Sequence, residues 1–256
     1  MLHSSTIRLA AVLLGTTLMV APAFATGNGT TAANSMNRTG GHAAAAGNTT
    51  TGAAPATATK ARADKSDAQQ LVAEATAEVK KMSADPQLKK LLAKAKGVYL
   101  VPEFGRGALV IGGRGGAGVV LARKDGKWTD PAFYDMGGIS IGAQAGGSGG
   151  AIAFLLMSQG AVDAFKSGNK FSLNAGAGLS IVDYSANSQA SWGKGDIVMW
   201  SDTKGAYAGA TISVSDVNWA DGNNMAYYGR KVDPSKILAG DVTSPDAANL
   251  KAALQG

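Results

Sequence analysis

Two hydrophobic periods divide this chain. Between residues 64 and 97 the apolar positions recur every three or four residues, the spacing of one face of an α-helix. Leu71, Val72, Ala75, Val79 and Met82 form a first stripe, preceded by Ser66 and Gln69 in the arrangement of a capping box. Leu88, Leu91, Leu92 and Ala95 form a second stripe, with Asp85 as N-cap, Pro86 at the first helical position and Gly97 just past the end. Lys80 and Lys81 close the first helix, while Lys89, Lys90, Lys94 and Lys96 occupy the flanks and back of the second. The pattern predicts an amphipathic, cationic helical hairpin.

After Gly97 the runs become short, β-branched and punctuated by glycine, as in "VYLVP", "GALVIGG" and "AGVVLARK". Asp125-Gly126, between "VVLARK" and "KWTDPAFY", predicts a two-residue hairpin turn. Further strands are predicted at "GISIGAQA" (138–145), "AIAFLLM" (151–157), "KFSLNAGAGLSIV" (170–182), "DIVMWSD" (196–202) and "GAYAGATISVS" (205–215). Gln159–Phe165 and Pro234–Leu238 read as short helices, and Pro245–Gln255 as a longer one capped by Ser244. The expected class is α+β, with the helical hairpin packed on a glycine-rich, curved antiparallel β-sheet that forms a sandwich or partial barrel.

The N-terminus changes the picture of where this domain works. Met1–Arg8 carries one cation, Leu9–Val20 is mostly apolar, and Ala23-Phe-Ala25 has the small-x-small form of a cleavage site. Residues 1–25 therefore read as a secretory signal peptide, too short in its apolar part to span a bilayer. The mature chain is expected to begin near Thr26 and to be periplasmic or secreted. Residues 26–63 are nearly all Ala, Thr, Gly and Asn, without an apolar period, and read as a disordered leader. Residues 64–256 are enough for one domain with a sizeable core.

Charge is unevenly placed. Residues 60–97 hold nine Lys and Arg against five Asp and Glu, a net of +4, whereas residues 98–256 hold thirteen of each sign. A localised cationic segment on a neutral body points to an anionic surface as partner. Outside the cytoplasm an anionic phospholipid membrane is the expected one, with no nucleic acid.

Candidate chemistry mostly drops out on inspection. Gly113, Gly115 and Gly118 spell G-x-G-x-x-G, the form of a dinucleotide loop, but "VVLARKDGKW" follows where that loop requires a helix. These glycines are expected to serve a curved sheet instead. The only histidines are His3 and His42, both ahead of the domain, and there is no cysteine. Ser-His-Asp and Cys-His catalysis and His/Cys zinc sites are thereby excluded from the domain. Catalytic residues, metal ligands and cofactor-binding residues are therefore all expected to be none. "DVNWADGNN" (216–224) approaches a calcium loop but places its glycine one position late, so an ordinary polar turn is expected. The uncharged stretch 136–162, with Gly142, Gly146 and Gly150 four apart, alternates with strand period and reads as two buried strands. Segments of about 10 alternating residues with aromatic girdles, the mark of an outer-membrane barrel, are missing.

The order "KGVYLVPEFGRGALVIGGRGGAGVVLARKDGKWTDPAFYDMGG", "SIGAQAG", "SGNKFSLNAGAG", "KGAYAGATI" and "YYGRKVDPSKILAG" resembles the SYLF-domain family over about residues 66–240. That family occurs in bacterial exported proteins and eukaryotic lipid-binding proteins. The resemblance implies a non-enzymatic module that binds acidic phospholipids with the help of a basic N-terminal amphipathic segment. It assigns headgroup binding to Lys80, Lys81, Lys89, Lys90, Lys94 and Lys96. Where many relatives carry an acidic pair after the Gly-x-Gln strand, this chain has "GGSGGA" (146–151), which puts any role of those acids in doubt here. Phosphoinositide and actin binding, known of some eukaryotic members, are not carried over to an exported bacterial chain.

The leading expectation is peripheral binding of anionic phospholipid headgroups at the bacterial envelope. The alternative is an envelope structural or protein-interaction module that uses the sheet surface and has no lipid role. A histidine-free hydrolase would need convergent carboxylates in a cleft.

Overall fold

A computed structural model describes residues 56–105, 115–141, 150–168, 170–174, 178–184, 195–202 and 212–256. Residues 1–55, which hold the predicted signal peptide and most of the predicted leader, the predicted "GALVIGG" strand and the glycine-rich run 142–149 lie outside the described residues. So do Gly113, most of "GAYAGATI" and the "AGA" of 175–177.

The predicted helical hairpin is present as α1 (Ala56–Ser83) and α2 (Pro86–Lys94). Their join is tight, with the Ala84 and Asp85 amides donating to the carbonyls of Lys81 and Met82. The α1 boundary differs from expectation. The helix is already running at Ala56, so Ser66 sits in its interior and is not an N-cap. The segment "ATATKARADK" lacks an apolar period but is rich in Ala, Lys and Arg, the residues with the strongest intrinsic helix propensity. Propensity therefore carries the helix eight residues into the segment assigned to the leader.

The strands are β1 (Gly97–Phe104), β2 (Gly116–Lys124), β3 (Lys127–Trp128), β4 (Ala132–Ile141), β5 (Gly150–Leu156), β6 (Phe171–Leu173), β7 (Ile181–Asp183), β8 (Ile197–Ser201) and β9 (Ile212–Trp219). The remaining helices are α3 (Gln159–Lys166), α4 (Asp221–Tyr228), α5 (Pro234–Leu238) and α6 (Ala248–Gln255). The strands form one sheet in the order β6-β9-β4-β2-β1-β5-β8-β7, with β3 paired to β2. All pairs are antiparallel except β7–β8, which is parallel. The terminal strand β7 also lies against β9, so the two ends of the sheet approach and the curved sheet is barrel-like.

Both faces of this sheet are buried, which is why the central strands read as continuous apolar runs. Along β1, Tyr99 and Val101 enter an inner core with Phe154, Tyr134 and Phe165, closed by α3 and α5. Val98 and Leu100 point the other way, into an outer core with Val119, Phe133 and Leu155. That outer core is covered by Val72, Val79 and Met82 of α1, Leu88 and Leu92 of α2, and Leu250 of α6. Helices thus occupy the outer face of the sheet.

The hairpin at Asp125-Gly126 is found as predicted. Both residues have positive φ, 50° and 79°, the conformation of a tight two-residue turn, and Lys124 pairs with Lys127 across it. Gly116 and Gly118, before it, are architectural. A Cβ on Gly118 would lie 2.6 Å from the Leu100 carbonyl oxygen, and one on Gly116 would lie 2.6 Å from Val101. A strand in an antiparallel sheet follows these glycines, not the helix a dinucleotide loop requires.

Three further expectations are corrected. The run 170–182 is two short strands, β6 and β7, which sit at opposite ends of the sheet order. The stretch 216–224 is neither a calcium loop nor a simple turn: it ends β9 and opens α4. Pro245–Gln255 divides into a 3-10 turn at Pro245–Ala247, capped by the Ser244 hydroxyl as expected, and α6.

Candidate functional site

The residues of α2 explain both why it docks and what it displays. Leu88, Leu91 and Leu92 are buried on the sheet side. Lys89, Lys90, Lys94 and Lys96 are exposed, as are Lys80 and Lys81 on α1. The six lysines singled out from sequence therefore share one short stretch of the surface-facing side of the hairpin. One of them is partly neutralised, because Lys81 Nζ lies 2.7 Å from Glu78 Oε1. No ion pair is found for Lys80, Lys89, Lys90, Lys94 or Lys96 among the described residues.

Both ends of α2 are clamped. At the start, Asp85 Oδ1 accepts from the amides of Gln87 and Leu88 at 2.8 and 3.2 Å. Its Oδ2 accepts from the Tyr184 hydroxyl at 2.7 Å, which ties the helix to the segment after β7. At the end, Arg123 of β2 donates from Nη1 to the Ala93 carbonyl at 3.0 Å and from Nη2 to Leu92 at 3.2 Å, satisfying carbonyls that a helix end leaves open. The same guanidinium lies 4.5 Å from the centre of the Trp128 ring. Trp128 Nε1 in turn donates to the Leu254 carbonyl of α6 at 3.2 Å. A cleft of about 150 Å³ between α2 and the β2–β3 hairpin brings Lys89 and Arg123 together. The lysine side chains thus project from a rigidly held helix.

Sequence reasoning found the lysines and the Asp85 cap but missed Arg123 and Tyr184. Nothing local marks them, because their hydrogen-bond partners on α2 lie 30 or more positions away.

The Asp85 clamp has a pH signature. The hydrogen bond from Tyr184 is the main reason its carboxyl is held below the ordinary 3.8, with the Gln87 and Leu88 amides adding to it. A carboxyl lowered in the folded state stabilises fully above its ordinary value and loses that contribution as pH falls through the lowered value. Asp85→Ala is expected to cost about 1 kcal/mol at neutral pH, the usual worth of an N-cap. The difference from wild type should shrink below about pH 3.8. Urea melts at pH 7 and pH 3 check this, and a constant difference would contradict it.

No helix among the described residues is long and apolar enough to cross a membrane. Among the same residues no group of three or more His, Cys, Asp or Glu is placed to hold a metal ion. The one aspartate buried among the described residues, Asp130, is occupied structurally, accepting from the Ser244 amide and from Lys251 Nζ, each at 3.0 Å.

Comparison with known proteins supports the resemblance read from the motifs. A family model described as Ysc84, Las17-binding protein actin regulator, matches residues 137–256. That match begins within β4 and does not include the α1–α2 hairpin. Protein YSC84 of Saccharomyces cerevisiae is 31% identical over 166 residues, 62% of this chain and 35% of its own length. LAS seventeen-binding protein 3 of the same yeast is 30% identical over 166 residues, 62% of this chain and 36% of its own. The SH3 domain-containing YSC84-like protein 1 of Bos taurus is 28% identical over 162 residues, 62% and 47% of the two chains. The chain spans less than half the length of these relatives. On the motifs, the family match and these relatives together, the chain is similar to the SYLF-domain, or Ysc84, family, and residues 137–256 match that family's model.

Proposed function

We propose that this chain is a non-catalytic protein-interaction module whose exposed lysine hairpin receives an acidic partner surface. The observation that carries this reading is the division of labour in α1 and α2: one side is buried on the sheet, and the other concentrates the cationic excess of the chain. The names carried by the family and its yeast relatives, an actin regulator and a Las17-binding protein, favour a protein over a lipid as the partner. The sheet surface is a poorer docking face than the hairpin, since helices cover the outer face and the inner face is filled core.

A second reading keeps the same lysines and replaces the partner by anionic phospholipid headgroups. Exposed basic side chains on an amphipathic helix suit that surface, each contributing about 1 kcal/mol near an anionic membrane. Export is part of our proposal in either case, resting on the basic, apolar and small-x-small order of residues 1–25. Amino-terminal sequencing of the protein from expressing cells should then start near Thr26; an intact Met1 would refute export by this route.

Sedimentation separates the partners. The full chain is spun with actin filaments, and in parallel with vesicles containing phosphatidylglycerol, at 50 and 300 mM salt, where the Debye length is about 14 and about 6 Å. With filaments standing in for an acidic protein surface and not as the partner of an exported chain, pelleting with filaments and not vesicles is the expected result, weaker at the higher salt. Pelleting with vesicles alone would transfer the lysines to the headgroup reading, and pelleting with neither would reject both.

A further inference from the structure

The motif "YYGRKVDPSKILAG" plays no part in the hairpin, yet it builds a second cationic place on the molecule. Gly229 ends α4 with a φ of 67°, the left-handed conformation that turns the chain sharply. Arg230 and Lys231 follow that turn, and α5 brings Lys236 back beside them. Together with Val232, Asp233 and Val242 they line a cleft of about 230 Å³. Val242 is buried in the inner core and Val232 packs against it, so the floor is anchored to the core on the side of the sheet away from α1 and α2.

The electrostatics of this cleft are unbalanced. Arg230, Lys231 and Lys236 are exposed, and none makes an ion pair or side-chain hydrogen bond among the described residues. The single carboxylate of the lining is hydrogen-bonded to Ser235, and its attraction to Lys236 is the smaller influence on it. Asp233 Oδ1 accepts from the Ser235 amide at 2.8 Å and from its hydroxyl at 2.6 Å, and those bonds hold the carboxyl below the ordinary value, so it stays charged. Three cations against one carboxylate leave +2. A dianion matches that balance, and the planar fork of an arginine suits phosphate oxygens. The volume is below the roughly 300–1,000 Å³ of pockets for drug-sized ligands, as fits a compact anionic group.

We propose that Arg230, Lys231 and Lys236 form an anion site for a phosphoryl group, separate from the lysine hairpin. The site goes beyond the protein-interaction reading and does not depend on it, because the two sets of cations share no residue.

The test titrates pyrophosphate into the full chain by calorimetry at low salt. Wild type and the Lys89→Gln/Lys90→Gln/Lys94→Gln variant should bind it equally. Arg230→Gln/Lys236→Gln should weaken binding at least tenfold with an unchanged melting temperature. Should that pair of changes lower the melting temperature, Lys231→Gln, at an exposed position, gives the independent reading, with a severalfold loss expected. Absence of binding by wild type at millimolar pyrophosphate, or equal binding by the Arg230/Lys236 variant, overturns the site. Loss of binding in the hairpin variant overturns it too. Competing vesicles bearing phosphatidic acid identify the source of the phosphoryl group. Displacement of pyrophosphate supports the site as one for a lipid headgroup, and retention supports it as one for a soluble phosphate compound.

Discussion

Gly118→Val is expected to lower the melting temperature by about 6–12 °C, which corresponds to about 3 kcal/mol in a domain of this size. Position 118 has the same parity as Val120 and therefore faces the inner core, directly beneath Tyr99. Even a single methyl there would meet the Leu100 carbonyl oxygen at 2.6 Å, Tyr99 Cε2 at 2.7 Å and Val101 Cγ2 at 2.8 Å. The first of these is backbone in a neighbouring central strand and cannot swing aside, so either the β1–β2 ladder opens or the Tyr99 packing breaks. Tyr99 is fully buried, stacks with Phe154 and meets Phe165 at a tilt, so relief in that direction spreads through the ring cluster. Gly160→Ala is the control. A Cβ at that position in α3 meets only the Ser158 hydroxyl, at 3.9 Å, so the change should be neutral or stabilise by up to about 1 kcal/mol. Equal melting of the Gly118 variant and wild type would mean that the close approach of β1 and β2 is not required.

The second large effect belongs to a polar residue. Asn224 of α4 is 1% exposed and pairs with both backbone groups of Phe133: its Oδ1 accepts from the Phe133 amide at 3.0 Å and its Nδ2 donates to the Phe133 carbonyl at 2.9 Å. The same Nδ2 also donates to the Ala220 carbonyl at 2.8 Å. In effect one side chain takes over from a strand, since the β4–β9 ladder reaches only to Tyr134 and Trp219. Asn224→Leu keeps the volume but leaves the Phe133 amide buried without this partner, a penalty of about 1–3 kcal/mol in addition to the bonds lost. A total near 3 kcal/mol is expected, because Ala220 still donates to the Phe133 carbonyl and shields it from the same fate. Urea unfolding of the variant checks the figure, and a change under 1 kcal/mol would show that water replaces the amide.

These two positions mark the boundary of what could be read in the chain. Local signals were legible: Asp85-Pro86 opens α2, Gly97 follows it, and Asp125-Gly126 turns β2 into β3, each because the turn or cap is decided by the residues that form it. The six lysines were legible as an exposed set because burial of the Val72, Val79 and Met82 stripe on α1 and the Leu88, Leu91 and Leu92 stripe on α2 fixes which side of each helix faces out. Helix α4 was not legible. Its sequence, "DGNNMAYY", has a polar first turn and no stripe, and its anchor Asn224 works through Phe133, 91 residues earlier. Sheet order was equally hidden, since β6 and β7 are neighbours in sequence yet end up at opposite ends of the order. The phosphoryl cleft shared that fate, as it needs α5 to bring Lys236 against Arg230.

The central claim, that the outward face of α2 is the binding surface, is tested most directly by Lys89→Gln/Lys90→Gln/Lys94→Gln. Glutamine preserves helix propensity, and the buried leucines are untouched, so the melting temperature should not move. The variant and wild type are compared at low salt by sedimentation with whichever anionic partner pellets the wild-type chain. Three lysines contributing even half of about 1 kcal/mol each correspond to at least a tenfold loss. A variant that binds tenfold more weakly with unchanged stability is the predicted result; one that binds as tightly as wild type would remove this face from the mechanism.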